Sequence, residues 1–173
     1  MLGDEEVAAL VRRARARDEA AFATLVDRYA PPILSLCFAS TLDREAAEEL
    51  CQDVFVRAWH GLLTFRASAT FSTWLFAIAR NACTDAARRR RARPRTERLE
   101  DRAGAVAAET PSARPVLVAA ARLSLPLRAA LLMREIQGLS YDEIAELQGV
   151  PIGTVRSRIA AARSAVAEEL RRQ

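Results

Sequence analysis

The stretch from Ser140 to Ile159 constrains the fold of this chain most, because it predicts two short helices joined by a tight turn. Ser140 and Glu143 have the spacing of a capping box at the start of the first helix. Gly149 stands where the chain must turn sharply, and glycine does this without a Cβ penalty. Pro151 suits the first turn of the next helix, where its missing N–H would have no partner.

The second helix of this pair has a clear apolar stripe and a polar face. Its outward positions carry arginine, serine and threonine in the first turns, a composition that the DNA major groove accepts. An ordinary helical hairpin with a solvated face would show the same pattern without binding DNA. The inward residues are Val155, Ile159, Ala162 and Val166, and the outward residues are Thr154, Arg156, Ser157 and Arg158.

Composition favours an all-α fold. Of the 173 residues, 51% are hydrophobic and many of these are alanine, whereas there are only 6 glycines and 7 prolines. No apolar run is long enough to span a membrane, and the first 20 residues are too charged for a signal peptide. We therefore expect a cytoplasmic protein without membrane insertion.

Helical periodicity covers the first half of the chain. Pro31 and Pro32 predict a break or kink between two apolar stripes. Asp43 can cap a helix that runs to about Leu62. Thr70 can cap the next helix, which ends in an arginine run before Pro94.

Low hydrophobicity and three prolines mark a boundary in the middle of the chain. We predict two small helical domains joined by a flexible linker, the C-terminal one a helix-turn-helix. The predicted bounds are 1–93 for the first domain, 94–115 for the linker and 116–173 for the second domain.

Charge is strongly segregated along the chain. Residues 80–98 carry a net charge of +6, and residues 43–53 carry a net charge of −4. The segregation indicates one basic surface for nucleic acid and an acidic surface for another partner. Within the acidic segment, four polar side chains cluster on one side of the predicted helix and would form a docking face, unless that face is merely solvated. They are Glu48, Glu49, Gln52 and Asp53.

The basic segment follows a helix rich in aromatic residues. Arginines next to aromatic rings and an amide are typical of single-strand binding, because rings and amides hold bases while arginines neutralise phosphates. We interpret Phe71 and Trp74 as core residues. The residues that we assign to DNA on this pattern are Arg80, Asn81, Arg88 and Arg89, and the alternative is a solvated helix end.

Cysteine and histidine spacing argues against a metal site. Cys37, Cys51 and Cys83 form no CxxC pair, and His60 is the single histidine. We expect buried thiols, with a redox sensor as the alternative. We expect no cofactor, no metal and no catalytic residues, because the chain has neither a metal-ligand cluster nor a nucleophile–base pair.

Three motifs in register resemble the bacterial sigma factors of the extracytoplasmic-function type, within the sigma-seventy family. The segment 47–55 (AEELCQDVF) is similar to the helix that docks on core polymerase in that family. The segment 71–81 (FSTWLFAIARN) resembles the promoter-melting segment. The segments 140–145 (SYDEIA) and 153–158 (GTVRSR) resemble the reader of the upstream promoter element.

The resemblance implies a transcription initiation factor that binds core RNA polymerase and promoter DNA, both duplex and melted. It also implies that an anti-sigma factor binds this protein and keeps it inactive. It implies polymerase docking by the four residues of the acidic face. It assigns recognition of the minus-ten element to Phe65, Arg66, Ser68, Arg80, Asn81, Asp85, Arg88 and Arg89. It assigns recognition of the minus-thirty-five element to Thr154, Arg156, Ser157, Arg158, Ala160 and Arg163.

A stand-alone dimeric helix-turn-helix regulator is the alternative function. Such a protein would have little use for the acidic face at Glu48–Asp53, which is the sequence feature that separates the two hypotheses.

Overall fold

Helices make up the regular structure of this chain throughout the parts that the computed structural model describes, which are residues 4–65, 70–92 and 114–172. No strand occurs in these ranges, as the all-α prediction requires, and none of the helices in them has the length and apolar character to cross a membrane. The elements are α1 (Asp4–Arg15), α2 (Glu19–Thr41), α3 (Arg44–Gly61), a 3-10 turn (Leu62–Thr64), α4 (Phe71–Ala92), α5 (Arg114–Ala121), α6 (Leu125–Glu135), α7 (Tyr141–Gln148) and α8 (Ile152–Arg171).

Helix α2 runs through both of its prolines, so the predicted break at Pro31 and Pro32 is wrong. Proline removes a backbone donor and crowds the preceding turn, which costs a helix interior about 3 kcal/mol. Burial offsets this cost, because Pro32 is itself buried and Ile33 directly after it is fully buried. The break does not form, because tertiary packing outweighs a local preference here.

Hydroxyl and carboxylate caps begin the helices of the first half as predicted. The Asp43 side chain accepts a hydrogen bond from the backbone N–H of Ala46 at 3.0 Å, and Thr70 Oγ1 accepts one from the N–H of Thr73 at 3.3 Å. Helix α4 ends at Ala92, just before Pro94. The predicted linker at 94–115 falls almost wholly outside the described residues.

The capping box of the second half is complete. The N–H of Glu143 donates to Ser140 Oγ at 3.2 Å, and the N–H of Ser140 donates to Glu143 Oε2 at 2.7 Å. These bonds to Ser140 hold the pKa of the Glu143 carboxyl below its usual value. Gly149 ends α7 in the left-handed region at φ +62°, as the turn requires. Pro151 immediately precedes α8 and does not lie inside its first turn.

The two halves share one apolar core. A continuous cluster of buried side chains runs through α1–α4 and includes Leu25 and Ile33, and it extends into the second half through Met133 and Ile144. A smaller cluster lies between α5, α6 and α8 and contains Ala119, Leu131, Ala162 and Val166. All four predicted inward residues of α8 are buried. The predicted domains therefore pack against each other.

The three cysteines are buried and free. Hydrogen bonding with the Cys83 thiol, together with burial, raises the pKa of Cys37. Burial raises the pKa of Cys51 to about 11. The hydrogen bond with Cys37 lowers the pKa of Cys83, but neither of these two residues has exposed surface. Burial of all three sulfurs therefore favours the structural interpretation of these thiols over a redox sensor, which needs a reachable thiolate.

We predict that the folded protein reacts negligibly with a chromogenic disulfide reagent at neutral pH and that all three thiols react once the chain is unfolded. Thiol absorbance measured with and without denaturant checks this. A thiol that reacts rapidly in the folded state would revive the redox-sensor hypothesis.

We predict that Ser140→Ala lowers the free energy of unfolding by about 1 kcal/mol, because it removes the oxygen that caps α7. Denaturant unfolding followed by circular dichroism measures the change. Ser164→Ala is the matched control, since Ser164 is exposed in the middle of α8. Equal stability of the two variants would contradict the capping role.

Candidate polymerase and nucleic-acid interfaces

The acidic face of α3, formed by Glu48, Glu49, Gln52 and Asp53, lies at the surface as predicted. Glu48, Glu49 and Gln52 are exposed, and Asp53 is half-buried. Asp43 caps the helix, and the buried residues Leu50 and Val54 turn its opposite side into the core. A partner can therefore reach the acidic face without disturbing the packing of α3.

Arg57 ties the acidic face of α3 to α4. Its Nη2 donates to Asp53 Oδ2 at 2.7 Å, and its Nη1 lies 3.9 Å from Asp85 Oδ2. A cleft of about 360 Å³ beside this chain of charges is lined by Glu49, Asp53 and Arg89. Asp85 and Arg89, both predicted to contact the minus-ten element, thus lie on the side of α4 that faces the docking surface.

The outward face of α4 carries the other predicted minus-ten residues of this helix. Arg80, Asn81 and Arg88 are exposed, and they lie within about one third of the helix circumference. Thr84 is exposed on the same face, and its hydroxyl donates to the carbonyl of Arg80 at 2.9 Å. Helical spacing, which places Thr84 four residues from Arg80 and Arg88, was the signal that could have identified it.

Phe65 is buried although the sequence suggested that it contacts DNA. Its ring packs on Trp74, with 4.9 Å between centroids, and edge-on to Phe71 at 6.1 Å. The Phe65 ring therefore packs against the first turn of α4 and does not face solvent. Arg66 and Ser68, the other two predicted residues of this loop, fall in the range that the structure leaves undescribed.

The polar face of α8 is divided between exposed residues and residues that hold the helix in place. Arg156, Ser157 and Ala160 are exposed. Arg158 Nη1, by contrast, donates to Gln148 Oε1 at 2.6 Å, and Arg158 and Thr154 are half-buried. Sequence reasoning missed three small exposed residues that share the outward face, and helical periodicity could have identified them. They are Gly153, Ala161 and Ser164.

Arg163 also contacts a neighbouring helix. Its Nη2 donates to Glu135 Oε1 at 2.7 Å, so it fixes α8 against the end of α6. Arg158 and Arg163 flank the buried stripe on opposite sides, and each binds a different helix. Arg156 is therefore the arginine of the early turns that points away from the domain.

Comparison with known families decides the identity. A family model described as Sigma-70 region 2 matches residues 25–93, and a second, described as Sigma-70, region 4, matches residues 113–166. The chain belongs to the sigma-70 family. Together the two matches contain the acidic helix, α4 and the helix-turn-helix.

Similar proteins place this sigma factor among the extracytoplasmic-function (ECF) type. It is 34% identical to the RNA polymerase sigma-H factor of Pseudomonas aeruginosa, over 98% of this chain and 96% of the relative. It is 31% identical to the ECF RNA polymerase sigma factor SigW of Bacillus subtilis, over 93% and 95% of the two chains. The solved structure of CnrH in complex with the cytosolic domain of CnrY matches with a TM-score of 0.68 and 27% identity, covering 95% of this chain and 97% of that one.

The chain is therefore an alternative sigma factor, which binds core RNA polymerase and directs it to promoters. These findings do not favour the stand-alone dimeric regulator. Among the described residues, no group of three or more histidine, cysteine or acidic side chains could hold a metal ion.

Proposed function

We propose that this sigma factor works through three separate faces: the acidic face of α3 docks on core polymerase, α4 captures the minus-ten element, and α8 reads the minus-thirty-five element. The observation that carries the proposal is the location of the acidic side chains and the outward arginines on different helices. The factor acts as a specificity subunit in the cytoplasm and contributes no catalytic group.

Polymerase docking rests on the exposure of the acidic side chains. Carboxylates at the surface attract a basic or polar partner at long range and raise the association rate, and they lose little solvation before contact. Arg57 pairs with Asp53 at 2.7 Å and Arg44 pairs with Glu48 at 3.0 Å, so Glu49 is the carboxylate of this face for which the described residues show no ion pair.

Minus-ten recognition rests on the exposed residues of α4. Arg80 and Arg88 are available to phosphates, and the Asn81 amide can bond to the edge of an unpaired base. The packing of the buried Phe65 ring on the half-buried Trp74 ring stabilises the start of the helix. A base held outside the stack favours the open strand that polymerase requires.

Minus-thirty-five recognition rests on the early turns of α8. Arg156 and Ser157 are exposed at the N-terminal part of the helix, the part that enters the major groove in helix-turn-helix proteins. Arg158 and Arg163 are engaged with Gln148 and Glu135, so their proposed role is to orient the helix before any contact with phosphate.

An anti-sigma factor is the proposed inhibitor. CnrH was solved with a protein partner, the cytosolic domain of CnrY. An inhibitor of this sigma factor would act by covering the α4 and α8 faces together.

We predict that Glu49→Arg combined with Asp53→Arg lowers promoter-directed run-off transcription by at least about tenfold at limiting polymerase, because the docking face changes from negative to positive. Transcription with purified core polymerase and pull-down of that polymerase provide the two measurements. Glu168→Arg is a matched charge reversal on the exposed end of α8 and should leave both measurements unchanged. Full activity of the double variant would remove the docking role from α3.

We predict that Arg156→Ala weakens discrimination at one base pair of the upstream element by about 1–3 kcal/mol, because it removes contacts to a base edge. Transcription from a promoter library randomised at that element measures the preference. Arg171→Ala, an exposed arginine near the end of the same helix, is the control. If Arg156→Ala reduced transcription equally on all promoters, the residue would contact phosphate instead of a base.

A further inference from the structure

Helix α1 ends in a turn whose left-handed position is occupied by an arginine. The N–H of Arg17 donates to the carbonyl oxygen of Ala14 at 3.0 Å, and the N–H of Asp18 donates to that of Arg13 at 3.2 Å. This pair of bonds defines the Schellman motif, in which glycine usually occupies the position that Arg17 takes. Arg17 has φ +67°, a conformation that residues with a Cβ rarely adopt. A side chain kept where glycine would relieve backbone strain points to a function for that side chain.

The side chain of Arg17 lies on an aromatic ring at the end of α3. Its guanidinium carbon is 5.1 Å from the centroid of the Trp59 ring, and that ring packs on Phe22 of α2 with 4.9 Å between centroids. Trp59 and Phe22 are half-buried, whereas Arg17 is exposed. Arg17 is therefore the solvent-exposed end of a stack of three planar groups. A guanidinium plane backed by a ring can stack a further planar group on its other face, such as an unpaired nucleobase.

Two more arginines of α1 add positive charge near this stack. Arg12 and Arg15 are exposed and, at a spacing of three residues, lie on the same side of the helix. Arg13 differs, because its Nη2 lies 2.7 Å from Asp18 Oδ2. The described residues show no ion pair to Arg12, Arg15 or Arg17, and we call these three residues the α1 basic surface. Its charge suits the phosphates of a nucleic acid.

The α1 basic surface lies near the start of the helix proposed to capture the minus-ten element. Helix α1 contacts both the 3-10 turn and α4. Two residues after Trp59, a Cβ atom placed on Gly61 would lie 3.3 Å from Cζ2 of Trp74 in α4. Trp74 is half-buried and, seven residues before exposed Asn81, lies on the same side of α4. A strand held on the outward face of α4 can therefore continue toward the stack on Arg17.

We propose that the α1 basic surface binds the melted promoter strand just downstream of the minus-ten element, with one unpaired base stacked on Arg17 and phosphates held by Arg12 and Arg15. The inference rests on the proposed capture of the minus-ten element by α4. Stacking accepts every base, because each base has a π-face. This site would therefore keep the strand open without reading its sequence.

Arg17→Gly tests the stacking. It removes the guanidinium and supplies the residue that a left-handed turn favours, so the variant is expected to fold as the native chain does, which circular dichroism checks. Holoenzyme with this variant should bind a forked promoter whose unpaired strand extends about eight nucleotides past the minus-ten element some tenfold more weakly than native holoenzyme. On a fork whose strand ends at that element, the two should bind equally. Fluorescence anisotropy of labelled forks provides the affinities.

Two further variants sharpen this test. Arg17→Lys keeps the charge but not the planar group, so it should bind the long fork as weakly as Arg17→Gly does. Arg171→Ala removes an exposed arginine near the end of α8 and should bind both forks as the native chain does. Native affinity of Arg17→Gly or of Arg17→Lys for the long fork would overturn the stacking role.

Salt dependence tests the phosphate contacts. Arg12→Ala combined with Arg15→Ala should reduce the slope of log affinity against log salt concentration on the long fork by about 1.4, because each phosphate contact to a single strand contributes about 0.7. The slope on the short fork should not change. An unchanged slope on the long fork would overturn the role of these two arginines.

Pull-down of core polymerase separates a DNA site from a polymerase site. Every variant of the α1 basic surface should retain as much core polymerase as the native chain does. Loss of polymerase binding would overturn the proposal, because it would place these arginines against the enzyme. Native holoenzyme that bound minus-ten and scrambled short forks equally would instead count against the proposed function of α4.

Discussion

Burial of α2 is the interaction on which the rest of the structure depends. This helix packs against α1, α3 and α4 of the first half and against α6 of the second. Leu25 and Ile33 have no exposed surface, and the helix accommodates two prolines because its neighbours hold it in place. With α2 as a common support, α3 and α4 each bury one side and leave the other side free for a partner.

Separation of charge follows from this packing. The acidic side chains of α3 and the arginines of α4 lie on adjacent helices, and Arg57 bridges them through Asp53 and Asp85. This bridge offsets the repulsion between the carboxylates of Asp53 and Asp85 and links α3 to α4. A single small domain can therefore present one face to a protein and another to nucleic acid.

Much of the fold could be predicted from local rules. The capping box at Ser140, the glycine turn and the buried stripe of α8 each depend on a few neighbouring residues. The continuity of α2 could not be predicted, because it depends on helices distant in sequence. The same holds for the site: spacing identified exposed Arg80, Asn81 and Arg156, whereas the burial of Phe65 and the engagement of Arg158 by Gln148 depend on tertiary contacts.

The central claim is that the acidic face of α3 holds this sigma factor on core RNA polymerase. The most direct measurement is the affinity of the full chain for purified core polymerase as a function of salt concentration. Tight association at low salt that weakens steadily as salt rises is the predicted result, because ions screen the charges on this exposed face. No association with core polymerase at low salt would contradict the account.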